Sequence, residues 1–305
     1  KERGEAPDWK LLHDRCEPYE VGTVPSAEVI VLTAGVDVQK DRFVYEVVGW
    51  APNKESWSVD AGELYGDTAD DATWTQLDAL LGRTYIGAEG ASSPIAMLAI
   101  DSSAFTQTVY NWGRQKPMSR VIACKGVPGP RLLVTAASPV EINFRGKRIQ
   151  RGYRIYPVGV DVAKPELYGW LGLSIGEDGT APPGYCHFPA YDPEFFKQLT
   201  AEYAVKVVNR ATGRARIEWH VQPNRENHAL DARILARVAA AVLGLDRMAR
   251  APAASSPGAG MPPAQRPAPL APLRQSPTGE GKAGPLARRP GAGRLVPPGW
   301  LGRRR

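Results

Sequence analysis

The 305 residues include 43% hydrophobic ones, enough for one large domain or two small ones, and no apolar run approaches the ~18 residues of a membrane-spanning helix. The formal charge of +6 is unevenly placed: from residue 247 onward there are 11 basic residues and one acid, Glu280, so +10, whereas residues 1–246 carry 27 basic and 31 acidic residues, so −4. That split excludes reading the basic balance as a nucleic-acid-binding face on the globular part. Three distant cysteines without a C-x-x-C argue against a zinc ribbon and favour a reducing compartment.

Residues 1–27 hold scattered prolines and charges and are expected to be an irregular lead-in or linker; no signal-peptide pattern is read there. A strand is predicted over 29–39, a tight turn at Lys40 and Asp41, a return strand over 42–51 and a third strand over 55–64. The spacing of Trp74, Leu77, Leu80 and Leu81 predicts a helix over 70–83, capped by Asp70 or Asp71. The uninterrupted apolar run 95–100 suits a strand covered on both faces, typical of a parallel neighbour, and it stops at Asp101.

A short helix over 106–115 and a strand over 120–126 follow. "INFRGKRIQRGYRIYPV" then reads as a basic hairpin with Arg145, Gly146 and Lys147 at its tip. Pro165 is expected to confine the next helix to a start near itself. A helix over 192–205 has Asp192 as its cap and Pro193 at its first position. A strand over 213–222 and a last helix over 226–245 complete the pattern. Three strands in a meander, then βαβ alternation, predict an α/β mixed sheet flanked by helices over residues 28–246. Residues 247–305, rich in Pro, Ala, Gly and Arg and holding 12 of the 28 prolines, lack apolar periodicity and are expected to be disordered.

Three acids break the apolar pattern. On the first strand the period of two places Thr33, Gly35, Asp37 and Gln39 on one face, so Asp37 has small and polar neighbours. The alternative is an acid turning the strand into its hairpin. Asp101 ends the apolar run at a strand C-terminus, where open α/β sheets place function; a turn or cap acid is the alternative. Asp231 lies three, four and seven residues before Ile234, Leu235 and Val238, so it points along the buried stripe of the last helix. A carboxylate there is costly unless paired or bound to a cation. Its alternatives are an ion pair with a buried Arg, or a first-turn acid favoured by the helix dipole. If the three acids converge, they form an all-oxygen site suited to Mg²⁺ or Mn²⁺, two of which can act on a phosphodiester. No H-x-x-x-H or H-E-x-x-H pattern offers histidine ligands instead.

The stretches "LTAGVDVQKDRFVYEVVGW", "SWSVDAGELYGDT", "LAIDSS", "RVIACKG", "DVAKPELYGWL", "YCHFPAYDPEFFKQLTAE" and "ENHALDARILA" occur in order between about residues 5 and 245. Together they resemble the nuclease half of phage terminase large subunits of the lambda (GpA) type. The resemblance implies an RNase H-like fold and a metal-dependent endonuclease that cuts concatemeric double-stranded DNA during packaging. It implies two metal ions, Mg²⁺ or Mn²⁺, held by Asp37, Asp101 and Asp231, with Glu226 as rival for the third place. It also implies a terminase small subunit and a capsid portal as partners, and the cytoplasm of a bacterial host as the location. The family's full protein carries a packaging ATPase as well. No G-x-x-x-x-G-K-[ST] occurs in these residues, so they are not expected to hydrolyse ATP by themselves.

Arg145, Lys147, Arg148 and Arg151 of the basic hairpin, and Lys125 after a strand, are candidate contacts to the DNA backbone; solvated surface charges are the alternative reading. His228 is read as a structural histidine or a supporting residue near Asp231. Two other functions fit the same residues: an RNase H-like resolvase or integrase-type enzyme, which joins ends as well as cutting, and a non-catalytic packaging-motor or portal-docking module. The charge split carries its own prediction. Deleting residues 247–305 is expected to flatten the salt dependence of DNA binding, measured as the slope of log affinity against log salt; an unchanged slope rules out a tail that tethers DNA.

Overall fold

The computed structural model describes residues 2–4, 6–87, 90–129, 131–144, 146–208, 213 and 215–248, so all of the tail except Arg247 and Met248 lies outside the described residues. In chain order the elements begin with β1 (Glu2–Arg3), α1 (Trp9–Asp14) and β2 (Thr23–Val24). The meander follows as β3 (Val31–Val38), β4 (Arg42–Trp50) and β5 (Ser56–Tyr65), then α2 (Asp71–Leu81), β6 (Thr84–Gly87) and β7 (Ser92–Asp101). Next come α3 (Thr106–Gly113), β8 (Val121–Val127), β9 (Ser138–Phe144), β10 (Lys147–Gly159) and α4 (Val160–Leu171). The last are β11 (Cys186–His187), α5 (Pro193–Leu199), β12 (Glu202–Val208), β13 (Ala215–Val221), α6 (His228–Leu243) and α7 (Leu245–Met248). No described helix is long and apolar enough to cross a membrane.

The main sheet has the order β11-β5-β4-β3-β7-β8-β10-β9. β3, β4 and β5 pair antiparallel, whereas β7 joins β3 in parallel, β8 joins β7 and β10 joins β8 in the same sense. An antiparallel meander continued by parallel strands on the far side of its first strand is the RNase H-like arrangement. Both faces are covered. Leu32, Ala34, Val36 and Val38 of β3 pack with Trp74, Leu77 and Leu80 of α2 and Val109 of α3. Met97 and Ala99 of β7 and Ile122 of β8 pack on the opposite face with Leu230, Ile234 and Val238 of α6.

Three expectations change. Residues 1–27 are not a lead-in apart from the domain: Leu12 of α1 is buried in the same cluster as Phe196 of α5, and β2 pairs with β6. The helix around Pro165 starts five residues earlier, at Val160. Proline there removes one backbone bond near the helix start, and burial of Ala163, Leu167 and Leu171 outweighs that loss. The helix over 192–205 stops at Leu199, where Thr200 Oγ1 bonds back to Phe196 O at 3.0 Å. The following residues become β12 because a partner strand exists: Glu202 to Val208 pair with Val221 to Ala215. Tertiary pairing overrides a helical pattern of short range.

The position of α6 rests on Gly35. A Cβ at this residue would lie 1.8 Å from Ala232 O and 2.5 Å from Ala236 N, so the helix backbone touches the strand directly. Two residues earlier, Thr33 Oγ1 donates to Ala236 O at 2.7 Å and accepts from Trp50 Nε1 at 2.8 Å. Beneath the helix Arg233 and Glu46, neither with any exposed surface, pair at 2.7 Å, and Arg233 also donates to Ser56 Oγ. Replacing Gly35 with Ala forces the helix off the sheet, because backbone cannot turn aside as a side chain does. Gly35→Ala is expected to cost about 3 kcal/mol or more in denaturant unfolding; an unchanged midpoint contradicts the backbone contact.

Candidate functional site

Strand pairing brings the first two acids together. β3 and β7 run parallel with Val36 opposite Ile100, so Asp37 and Asp101 follow side by side at the strand ends. Thr33, Gly35 and Asp37 share the face toward α6, as do Met97, Ala99 and Asp101. The third acid comes from the first turn of α6, which the Gly35 contact holds over these strand ends. Asp101 and Asp231 line one cleft, together with Ser103, Gly126 and Lys164.

Each carboxylate has a partner. Asp37, 5% exposed, accepts at Oδ2 from His228 Nδ1 (2.7 Å) and from Gln39 Nε2 (2.8 Å). Asp101 accepts from Ser103 N at 3.1 Å and Ser103 Oγ at 2.9 Å. Asp231 accepts from Asn227 Nδ2 at 2.9 Å. The buried arginines of α6 pair elsewhere, Arg233 with Glu46 and Arg237 with Glu166 and Asp246. An Arg partner for Asp231 is therefore not what these residues supply. Glu226, half exposed just before α6, accepts from Arg42 Nη2 at 2.9 Å and lies 3.7 Å from His228 Nε2.

The Asp37 charge acts on both of the other carboxyls. Burial pushes the Asp231 carboxyl up to about 8; the Asp37 charge adds to this, Lys164 opposes it, and Glu202 and Asp101 add smaller contributions. Burial also raises Asp101, against the Ser103 hydrogen bonds, with Asp37 contributing in the same direction as burial. His228 is raised by its hydrogen bond to Asp37. Among the described residues no group of three His, Cys, Asp or Glu side chains is arranged to hold a metal ion. The donor chemistry nevertheless suits a hard divalent cation: the Asp37 charge raises the proton affinity of both Asp101 and Asp231, and crowded carboxylate oxygens are what such an ion relieves.

None of the described cationic candidates lines this cleft. Lys125 is exposed on β8, one residue before the cleft-lining Gly126. Lys147, Arg148 and Arg151 are exposed on β10, and Arg148 pairs with Glu141 of the neighbouring strand. The hairpin packs along α3: Asn111 Nδ2 donates to Asn143 O and Asn143 N donates to Gln107 Oε1. Val158 at the base of β10 lines the cleft, whereas none of the hairpin's described cations does. Arg145 lies outside the described residues. His228 supports Asp37 rather than Asp231, which its sequence spacing had favoured. Lys164, Glu202 and Asn227 escaped the sequence reading altogether. An Asn just before a helix looks like a cap, and a Lys–Glu pair 38 residues apart leaves no local pattern.

The raised proton affinities set a pH dependence for the metal-free protein. Asp231 and His228 both bind protons more tightly folded than unfolded, so their contribution to stability is present at low pH and declines as pH rises through their folded values. The melting temperature without metal is expected to fall between about pH 5 and 8. Asp231→Asn removes most of that slope and raises stability at pH 7 by on the order of 2–4 kcal/mol. A flat profile, or a less stable variant, shows that Asp231 serves a structural ion pair.

Residues 1–250 match the family model described as terminase large subunit gpA, endonuclease domain. The chain is similar to the "Terminase, large subunit" of Escherichia phage lambda, 34% identical over 243 residues, which is 77% of this chain and 36% of that protein. It is similar to the protein of the same name from Enterobacteria phage P21, 32% identical over 240 residues, again 77% of this chain and 36% of the relative. The chain thus spans little more than a third of the length of these relatives. No solved structure matches. The family model matches across the whole described region, and the chain belongs to the family of terminase large subunit gpA endonuclease domains.

Proposed function

We propose that this domain is a Mg²⁺- or Mn²⁺-dependent endodeoxyribonuclease in which Asp37, Asp101 and Asp231 hold two metal ions against a scissile phosphodiester. The observation that carries the reading is the convergence of the three acids on one end of the sheet, where their charges act on one another. Asp231 is favoured over Glu226 because Glu226 is engaged with Arg42 and half exposed, whereas Asp231 lines the cleft with Asp101.

In the hydrolysis a water oxygen bonds to phosphorus as one P–O ester bond breaks, leaving one phosphate and one hydroxyl end. The ions supply Lewis acidity to that exchange. The chain's own residues prepare the place. His228 and Gln39 lock Asp37 in one rotamer on a rigid strand, which fixes a ligand more sharply than a loop would. Ser103 holds Asp101 at the mouth of the cleft. The substrate in this reading is concatemeric double-stranded phage DNA in the bacterial cytoplasm, delivered with a terminase small subunit and a capsid portal. Lys125, Lys147, Arg148, Arg151 and Arg145 remain the cations proposed for its backbone. They must offset a globular part of net charge −4, so the isolated domain binds DNA weakly.

The test is plasmid nicking with Mn²⁺. Wild type is expected to convert supercoiled plasmid to nicked and linear forms, and Asp37→Ala to lose at least about 100-fold in rate. A folded wild-type protein that never cuts supports the docking module instead, and rejoined ends support a strand-transfer enzyme.

A further inference from the structure

The first turn of α6 contains a hydrogen-bond chain that the proposed chemistry does not use. Asn227 occupies the N-cap position of α6, where an Asn side chain ordinarily accepts from the backbone of the next turn. Here it makes no such bond. Its amide nitrogen instead donates in two directions, to Asp231 Oδ2 at 2.9 Å and to Glu202 Oε1 at 2.8 Å. Glu202, 3% exposed, is in turn held at its other oxygen by Lys164, itself 8% exposed. Tyr168, one helical turn after Lys164 on α4, clamps the backbone of the same residue: its hydroxyl donates to Glu202 O at 2.9 Å and accepts from Glu202 N at 3.2 Å.

A buried Lys–Glu pair adds little to stability on its own, because desolvation offsets most of the attraction. This pair does something more specific. It fixes the acceptor that orients Asn227, and both amide protons of Asn227 are then committed. The proton aimed at Asp231 cannot rotate away without leaving Glu202 Oε1 unpaired in a buried place. Asp231 is thereby held in one rotamer from behind while its carboxylate lines the cleft with Asp101. Groups outside the coordination sphere that hold a ligand in this way contribute about 10–100-fold to metal affinity or activity.

We propose that Asn227 is a positioning residue for Asp231, and that Lys164 and Glu202 act on the divalent-cation site only through Asn227. This rests on the metal-binding reading above, and the measurement separates the two. Mn²⁺ alone is titrated calorimetrically into the full chain, without DNA, for wild type, Asp231→Asn, Asn227→Ala, Glu202→Gln and the Asn227→Ala/Glu202→Gln double variant, with a thermal melt of each.

Asn227→Ala is expected to weaken Mn²⁺ binding about 10-fold or more, with a lowered melting temperature because Glu202 Oε1 loses its partner, although no cap bond is lost. Glu202→Gln is expected to weaken it by a smaller factor. The double variant is expected to bind no worse than Asn227→Ala alone, a non-additivity that independent structural roles would not produce. Unchanged affinity in Asn227→Ala, or losses that multiply in the double variant, overturn the inference while leaving the metal site standing. A wild type that binds no Mn²⁺ overturns both. Should Glu202→Gln melt early, Asn227→Ala against Asn227→Ser, which keeps a short donor, decides the matter: only Asn227→Ser retains part of the affinity if the hold on Asp231 is what counts.

Discussion

The molecule turns on a single close approach, that of the last helix to the first strand of the meander at Gly35. Only a residue without a side chain lets Ala232 and Ala236 lie against the strand backbone. The contact also sets a register. Four residues of helix rise about 6 Å and two residues of strand about 6.6 Å. The two therefore step almost together, and the pairs Thr33–Ala236, Gly35–Ala232 and Asp37–His228 recur in sequence. Once the first two pairs are seated, the third falls at the strand end with no further freedom, and Asp231 arrives one turn along on the same helix.

That arrangement gathers like charges, which by itself would push the helix away. The anchoring comes from elsewhere along α6. Arg233 reaches beneath the helix to Glu46, which stands opposite Gly35 on β4, and is flanked by the rings of Trp50 and Phe188. Arg237, one turn further, ties α6 to Glu166 of α4 and to Asp246 of α7. Replacing such a pair with well-packed apolar side chains is often neutral, whereas removing one partner is strongly destabilising. Their physical effect is thus to make one helix position far better than its neighbours. With three acids at the N-terminal end, a helix free to slide by even one residue would separate them.

The remaining packing serves the same end of the sheet. α1, in a region that looks like connecting chain, buries Leu12 against α5, and α5 in turn orders Gln198, whose side chain reaches Ala229 N at the start of α6. The small β12–β13 sheet places Glu202 behind Asn227. The proposed site, built from a strand, a second strand and a helix N-terminus, is accordingly supported by segments spread over more than 200 residues.

Much of this was legible in the amino-acid order because it depends on short-range regularities. Alternation on β3 put Asp37 on the small-residue face. The unbroken run before Asp101 announced a doubly covered strand, and the spacing on the last helix exposed Asp231 as an acid on an apolar stripe. Hence the mixed sheet, its meander and the three acids could be named before any coordinates. What only tertiary structure decided are the relations between distant residues. Residues 202–208 became strand because β13 lay ready to pair with them, and Pro165 was tolerated because α4 buries its apolar side. Glu226 was drawn off by Arg42, and Asn227 exchanged a cap bond for Glu202 and Asp231. Periodicity along a chain reports which face a residue takes; which partner waits there is set by segments the local pattern does not contain.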